Sequence, residues 1–193
     1  MGLVLATPPA VEPVTFADIA QMHRLDDDFE QGLVETMIKA ARKTIEAAQN
    51  RQLITAEYEW SFDYWPCANG FTLPISPVQS VDAIKYYDTA GTQQTWASSN
   101  YQVSLTDVLA TVTLETSATF PVLEQDKVNA VTVEFTAGYG DAASDVPENT
   151  RLAIMALVGH WFENRIPVAQ GAQQEVPMHI QWMMTPESVP LAY

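Results

Sequence analysis

The chain of 193 residues is long enough for one domain carrying a large insertion, and at this size it buries a core without disulfides or a structural metal. With 24 Asp and Glu against 9 Lys and Arg, the formal charge is −15, which leaves no basic footprint for gripping a phosphate backbone or an anionic membrane. A single cysteine, Cys67, excludes an internal disulfide and a cysteine-based zinc cluster.

The opening Met-Gly-Leu-Val-Leu-Ala has neither the charged start nor the length of a signal segment, and Ala6 stands where myristoylation wants Ser or Thr. No run of about 18 apolar residues follows, so the expectation is a soluble protein made in the cytoplasm, with no membrane contact.

Residues 1–54 read as an N-terminal helical part. Thr15 and Asp18 resemble a capping box ahead of Phe16, Ile19 and Met22. The acids Asp26, Asp27 and Asp28 suit the start of a second helix, because carboxylates offset the positive end of its macrodipole. A metal site is the alternative for these acids, but no Gly or later Glu follows at calcium-loop spacing. Phe29, Leu33, Met37, Ala41, Ile45 and Ala48 then recur every three or four residues as one apolar stripe. Lys39, Arg42 and Lys43 share this helix with Glu35 and Glu46, in exposed i,i+4 pairs.

Residues 55–137 read as a β-rich insertion. Tyr58, Trp60 and Phe62 alternate with Glu57, Glu59, Ser61 and Asp63, the period of a strand with one buried face. Further strand-like runs are Phe71 to Ile75, Val78 to Tyr87, Thr92 to Trp96, Tyr101 to Leu105, Thr111 to Leu114 and Ala130 to Ala137. Asp88-Thr89-Ala90-Gly91 predicts a hairpin turn, and Pro74 and Pro77 belong at a strand end or sheet edge. Without helix-length segments between the runs, pairing is antiparallel.

A helical period returns after Gly138-Tyr139-Gly140. Asp145 is placed to cap and Pro147 to sit in the first turn of a helix through 165, which carries Leu152, Ile154, Met155, Leu157, Val158, Trp161 and Phe162. Packing this broad face on the 29–48 stripe makes the strands an insertion between helices of one bundle. Residues 138–165 are thus the C-terminal bundle helix. Residues 166–193 hold no Lys or Arg and form an extended C-terminal arm, with Ile180, Trp182, Met183, Met184 and Tyr193 as candidate docking residues. The predicted class is α+β: a small helical bundle, an antiparallel insertion and an arm.

Catalytic constellations do not emerge. His23, His160 and His179 stand outside ligand spacings, and Cys67 has no basic neighbour in sequence to activate it. Gly138-Tyr139-Gly140 lacks the third glycine of a dinucleotide loop, and Asp141 would repel a pyrophosphate. Solvation accounts for Glu57 and Glu59 without acid–base chemistry. Tyr58, Trp60 and Phe62 fit a sheet core, with a sugar-stacking platform as the rival; an exposed Trp60 and Trp65 would favour a carbohydrate-binding module. An enzyme acting on cell-wall glycans would need two carboxyls about 5–10 Å apart across a cleft. The expected protein is not an enzyme and needs no cofactor and no metal.

Several segments together carry a family resemblance. Phe135-Thr136-Ala137-Gly138-Tyr139-Gly140-Asp141, Val146-Pro147, Ala153-Ile154 and Leu157 through Arg165 form one part of the pattern. Pro13-Val14-Thr15, His23-Arg24-Leu25, Asn50 through Ile54, Leu73-Pro74, Pro77 through Val81, and Ile84, Tyr86, Asp88 and Gly91 recur in order. Over residues 1–165 the chain resembles the head–tail connector, or adaptor, family of tailed phages, which includes the corresponding protein of gene transfer agents. The resemblance implies a ring, commonly of twelve copies, between a portal and a stopper or tail-completion protein. Such a ring belongs to the virion neck, is assembled in the bacterial host cytoplasm and continues the DNA channel without sequence-specific binding. It also implies that the arm docks on the portal. Arg42, Lys43 and Arg151 are candidates to meet acids of the next subunit. A tail terminator or stopper ring is the nearest structural rival.

Overall fold

The computed structural model describes residues 2–23, 30–66, 69–106 and 108–163, and beyond them Met178, Met183, Thr185, Ser188 and Val189. The chain divides into two compact units. One combines the stretch up to Pro9 with Thr55–Tyr139; the other combines Ala10–Ile54 with Gly140–Val189.

In chain order the described elements are β1 (Gly2–Thr7), α1 (Phe16–His23), α2 (Gln31–Gln49), β2 (Ala56–Phe62), β3 (Gly70–Thr72), β4 (Val78–Tyr87), β5 (Gln93–Thr95), β6 (Tyr101–Ser104), β7 (Thr111–Leu114), β8 (Val131–Ala137) and α3 (Glu148–Glu163). The α+β class and the antiparallel insertion hold as read from the sequence.

The first unit is built from two sheets: one of five strands in the order β1-β2-β8-β4-β5, and one of three in the order β3-β7-β6. All strand pairs are antiparallel. Trp60 lies opposite Val133 and Tyr58 opposite Phe135, so the apolar residues of β2 and β8 share one face. That face is covered by Phe71, Leu73, Trp96 and Val112, which bury it into a single core with Ile84. Phe135 is fully buried at its centre. The predicted hairpin joins β4 to β5. There Asp88 Oδ1 accepts from the backbone N–H of Ala90 (2.9 Å) and Thr92 (3.0 Å), and Gly91 supplies a φ of 75°.

The second unit is helical. Thr15 N–H donates to Asp18 Oδ2 at 2.8 Å and Asp18 N–H to Thr15 Oγ1 at 3.3 Å, the reciprocal box expected at the start of α1. The chain leaves α2 through Asn50 in the left-handed region, whose N–H returns to Glu46 O. Helices α2 and α3 pack on each other, as the two apolar faces required. Pro147 O accepts from Thr150 N–H (3.0 Å) and Arg151 N–H (3.1 Å), so Pro147 immediately precedes α3 and its carbonyl takes the first helical bonds.

Three expectations are corrected. Residues Gly2–Thr7, read within the helical part, form a strand paired with β2. The inward face of α2 is Val34, Ile38, Ala41, Arg42, Ile45 and Gln49, while Leu33 and Ala48 of the predicted stripe are exposed. Both sets have helical spacing, and packing against α3 selects the one that also brings Gln49 Nε2 to Thr150 Oγ1 (3.4 Å). Asp145 accepts from Ala142 N–H (3.0 Å) and so holds the turn before α3 instead of capping the helix. Asp26, Asp27, Asp28 and Phe29 lie outside the described residues, as does Cys67.

Candidate interaction surfaces

Arg42 is where the sequence reading and the geometry part most clearly. Its side chain is 9% exposed, with Nε 2.7 Å from Glu12 Oε2 and Nη1 2.8 Å from Glu46 Oε2. Glu46 Oε1 in turn accepts from Gln52 Nε2 (2.9 Å) and Leu53 N–H (3.2 Å). Burial works against the Arg42 charge, but the hydrogen bond with Glu12 and the field of Glu46 outweigh it and hold its pKa above the ordinary value. Burial has the upper hand at Glu46 and pushes its carboxyl up, despite the neighbouring guanidinium. The network ties the segment before α1 and the exit of α2 to one helix turn; it is an internal brace and not an exposed i,i+4 pair.

Arg151 is partly committed too, its Nε donating to Pro13 O at 3.1 Å. Lys43 is exposed, as is Lys39 one turn before it. Of the arm residues, Met183 is half-buried, whereas Ile180, Trp182, Met184 and Tyr193 lie outside the described residues. Val189 is buried and donates its N–H to Gln49 O at 2.9 Å, which places Val189 at the C-terminus of α2.

Trp60, Phe62, Phe71, Trp96 and Phe135 of the β unit are core, while Tyr64 is exposed. Trp60 is 8% exposed and meets Phe62 edge-on at 4.2 Å between ring centroids. Trp65 stacks on Phe120 at 4.4 Å, and its indole N–H donates to Pro121 O at 3.0 Å. Burial closes Trp60 to a sugar ring, and half-buried Trp65 has one ring face taken by Phe120.

The outward face of the five-stranded sheet is acidic. Glu57, Glu59 and Ser61 of β2 alternate with the core residues, and Glu59 lies directly opposite Glu134 of β8. Like charges in that register are unfavourable unless something relieves them. Lys85 Nζ pairs with Glu134 Oε1, and Asp82 Oδ2 accepts from Thr136 Oγ1 at 2.8 Å. Ala6, Glu57, Glu59, Asp82, Glu134 and Thr136 line a shallow groove of about 410 Å³ on this face. Among the described residues no group of three or more His, Cys, Asp or Glu is placed to hold a metal ion. No described helix is long and apolar enough to cross a membrane.

The described residues thus combine braced helices, an aromatic β core and a charged sheet face. The chain belongs to the head completion protein family, whose profile matches residues 14–185, and its role is that of a head–tail connector and not of an enzyme. Solved structures share the fold. A chain from the neck of an empty gene transfer agent particle, computed with C6 symmetry, aligns at 23% identity and a TM-score of 0.82, over 100% of this chain and 98% of that one. A chain from the virion of a native gene transfer agent particle aligns at 22% identity and a TM-score of 0.80 with the same coverage. A chain from the neck of the native particle, computed with C12 symmetry, aligns at 21% identity and a TM-score of 0.73, again over 100% and 98%. A comparison with curated proteins finds no match.

Proposed function

We propose that the chain forms a ring in the virion neck, with a portal on one side and a stopper or tail-completion protein on the other. The observation that carries this reading is the family match across residues 14–185, supported by a fold shared end to end with chains of gene transfer agent neck and virion structures. Charge agrees with it. A subunit of charge −15 repeated around a ring repels phosphate wherever acids face the lumen, so DNA passes without being held. Twelve copies are the stoichiometry that the adaptor resemblance implies.

Ring closure needs heterologous contacts, one face of a subunit against a different face of the next. Lys43 is the member of the predicted trio best placed to make one, because Arg42 and Arg151 already have partners within the chain. The arm bearing Ile180, Trp182, Met183, Met184 and Tyr193 docks on the portal, where aromatic and thioether side chains adapt to an apolar pocket. The portal supplies a multivalent template for the ring, and the free protein is monomeric.

Particles produced without this chain test the function. Filled heads and separate tails are the expected products; joined particles in its absence would overturn the assignment. For the arm, the double substitution Trp182→Ala with Met183→Ala is cleaner than truncation, which would also remove the Val189 hydrogen bond to Gln49. Portal binding is expected to fall at least tenfold with an unchanged circular dichroism spectrum, and unchanged binding would remove the arm from the interface.

A further inference from the structure

Strand β1 is ordered against β2, yet every one of its residues is exposed. Leu3, Val4 and Leu5 are 39%, 59% and 44% exposed. It is a terminal strand of the five-stranded sheet, so its outer side presents a row of unpaired N–H and C=O groups. Proteins normally blunt such an edge with a charge, a proline or a bulge. On the other side of the sheet, the part of β4 that β5 leaves uncovered carries all of these devices. Pro77 precedes β4, bulges interrupt it between Val78 and Ser80 and between Val81 and Ala83, Asp82 lies within it, and β5 covers Lys85 to Tyr87. Gly2 to Leu5 have none of them; the one irregularity of β1 comes later, between Leu5 and Thr7.

We propose that the open edge of β1 receives an extended segment of another protein, with Lys or Arg at alternate positions and apolar residues between them. The alternation follows from register. Leu3 and Leu5 lie opposite Trp60 and Tyr58, while Val4 and Thr7 lie opposite Glu59 and Glu57 on the acidic face. A strand added beyond β1 would sit about 10 Å from β2, within reach of a long cationic side chain stretched toward a glutamate. Its cations would thus relieve the negative charge of Glu57 and Glu59, and its apolar residues would cover Leu3 and Leu5. A second copy of this chain cannot supply such a segment, because no two of its 9 Lys and Arg are two residues apart.

The probe is a capped hexapeptide of alternating lysine and valine, titrated to millimolar concentration into the full chain with amide chemical shifts and hydrogen exchange as readouts. Shifts and new protection confined to β1 and the adjacent glutamates are expected, with binding at least tenfold weaker in the double variant Glu57→Gln, Glu59→Gln. A glutamate–valine hexapeptide should not bind. Neighbouring residues of a strand turn their N–H groups to opposite sides, so proline is placed separately at Leu3 and at Val4; one of the two removes an outward donor and should abolish binding while the β2 amides stay protected. Absence of binding, or binding that survives both prolines, overturns the proposal, the second outcome revealing charge attraction alone. Self-association that both the peptide and a proline abolish would assign the edge to a second copy and equally overturn it.

Discussion

Asp18 stands at the first turn of α1 with its carboxylate held by Thr15. The backbone N–H of Thr15, and then its hydroxyl, keep the Asp18 carboxyl below its ordinary pKa of 3.8. A depressed acid favours the folded state when ionised, so its contribution is present above pH 3.8 and lost as pH falls through the lower folded value. Asp18→Asn is expected to cost about 1 kcal/mol or less near neutral pH. In urea melts the gap from the unsubstituted chain should narrow below pH 3.8; a constant gap would mean that the ionised cap is not its source. At Arg42 the charge is buried between two acids, and truncation leaves both carboxylates without their cation. Arg42→Ala is expected to destabilise by about 3–5 kcal/mol, and a smaller loss in urea unfolding would mark the network as dispensable. Gly159 shows the opposite constraint. A Cβ there would lie 2.0 Å from His23 Cε1, so Gly159→Ala should cost about 1–3 kcal/mol. Pairing it with His23→Ala should recover part of that loss in a double-mutant cycle.

Among the elements, legibility in the sequence followed burial. Strands β2 and β8 alternate because one side chain in two enters the core, and the runs of β2, β4, β7 and β8 are readable to within a residue or two. Phe135, at the centre of that core, should cost about 3–5 kcal/mol when replaced by alanine, as measured by thermal or urea unfolding. β1 left no such trace, since a strand exposed on both faces has no burial period to impose on Gly-Leu-Val-Leu-Ala-Thr. Helix α2 was readable as a helix but not in rotation: Phe29-Leu33-Met37 and Val34-Ile38-Ala41 satisfy the same spacing, and only the packed partner distinguishes them. The misreading of Arg42 has a related origin. Glu46 is one turn away and visible, but Glu12 is 30 residues distant and is brought near only by the fold. Trp65 is similar, its partners Phe120 and Pro121 lying far along the chain. The segment Phe135 to Asp141 was legible in family terms because it is tightly specified: Gly138 donates its N–H to Pro77 O at 2.8 Å with φ at 136°, where a side chain would be strained.

At the scale of the whole molecule, the two units divide the work: one builds an aromatic core beneath a charged sheet face, the other braces its helices with buried ionic and polar contacts. On the proposed function, acidic repulsion keeps free copies apart until a partner supplies complementary contacts. Raising ionic strength should screen that repulsion and strengthen self-association, which sedimentation velocity at low and high salt would register; assembly weakened by salt would point to attractive ion pairs instead. The central claim is a ring built on a portal. Electron microscopy of the purified chain mixed with the portal of its own particle tests it most directly. The account predicts one closed ring seated coaxially beneath each portal, and portals left bare beside free monomers would contradict it.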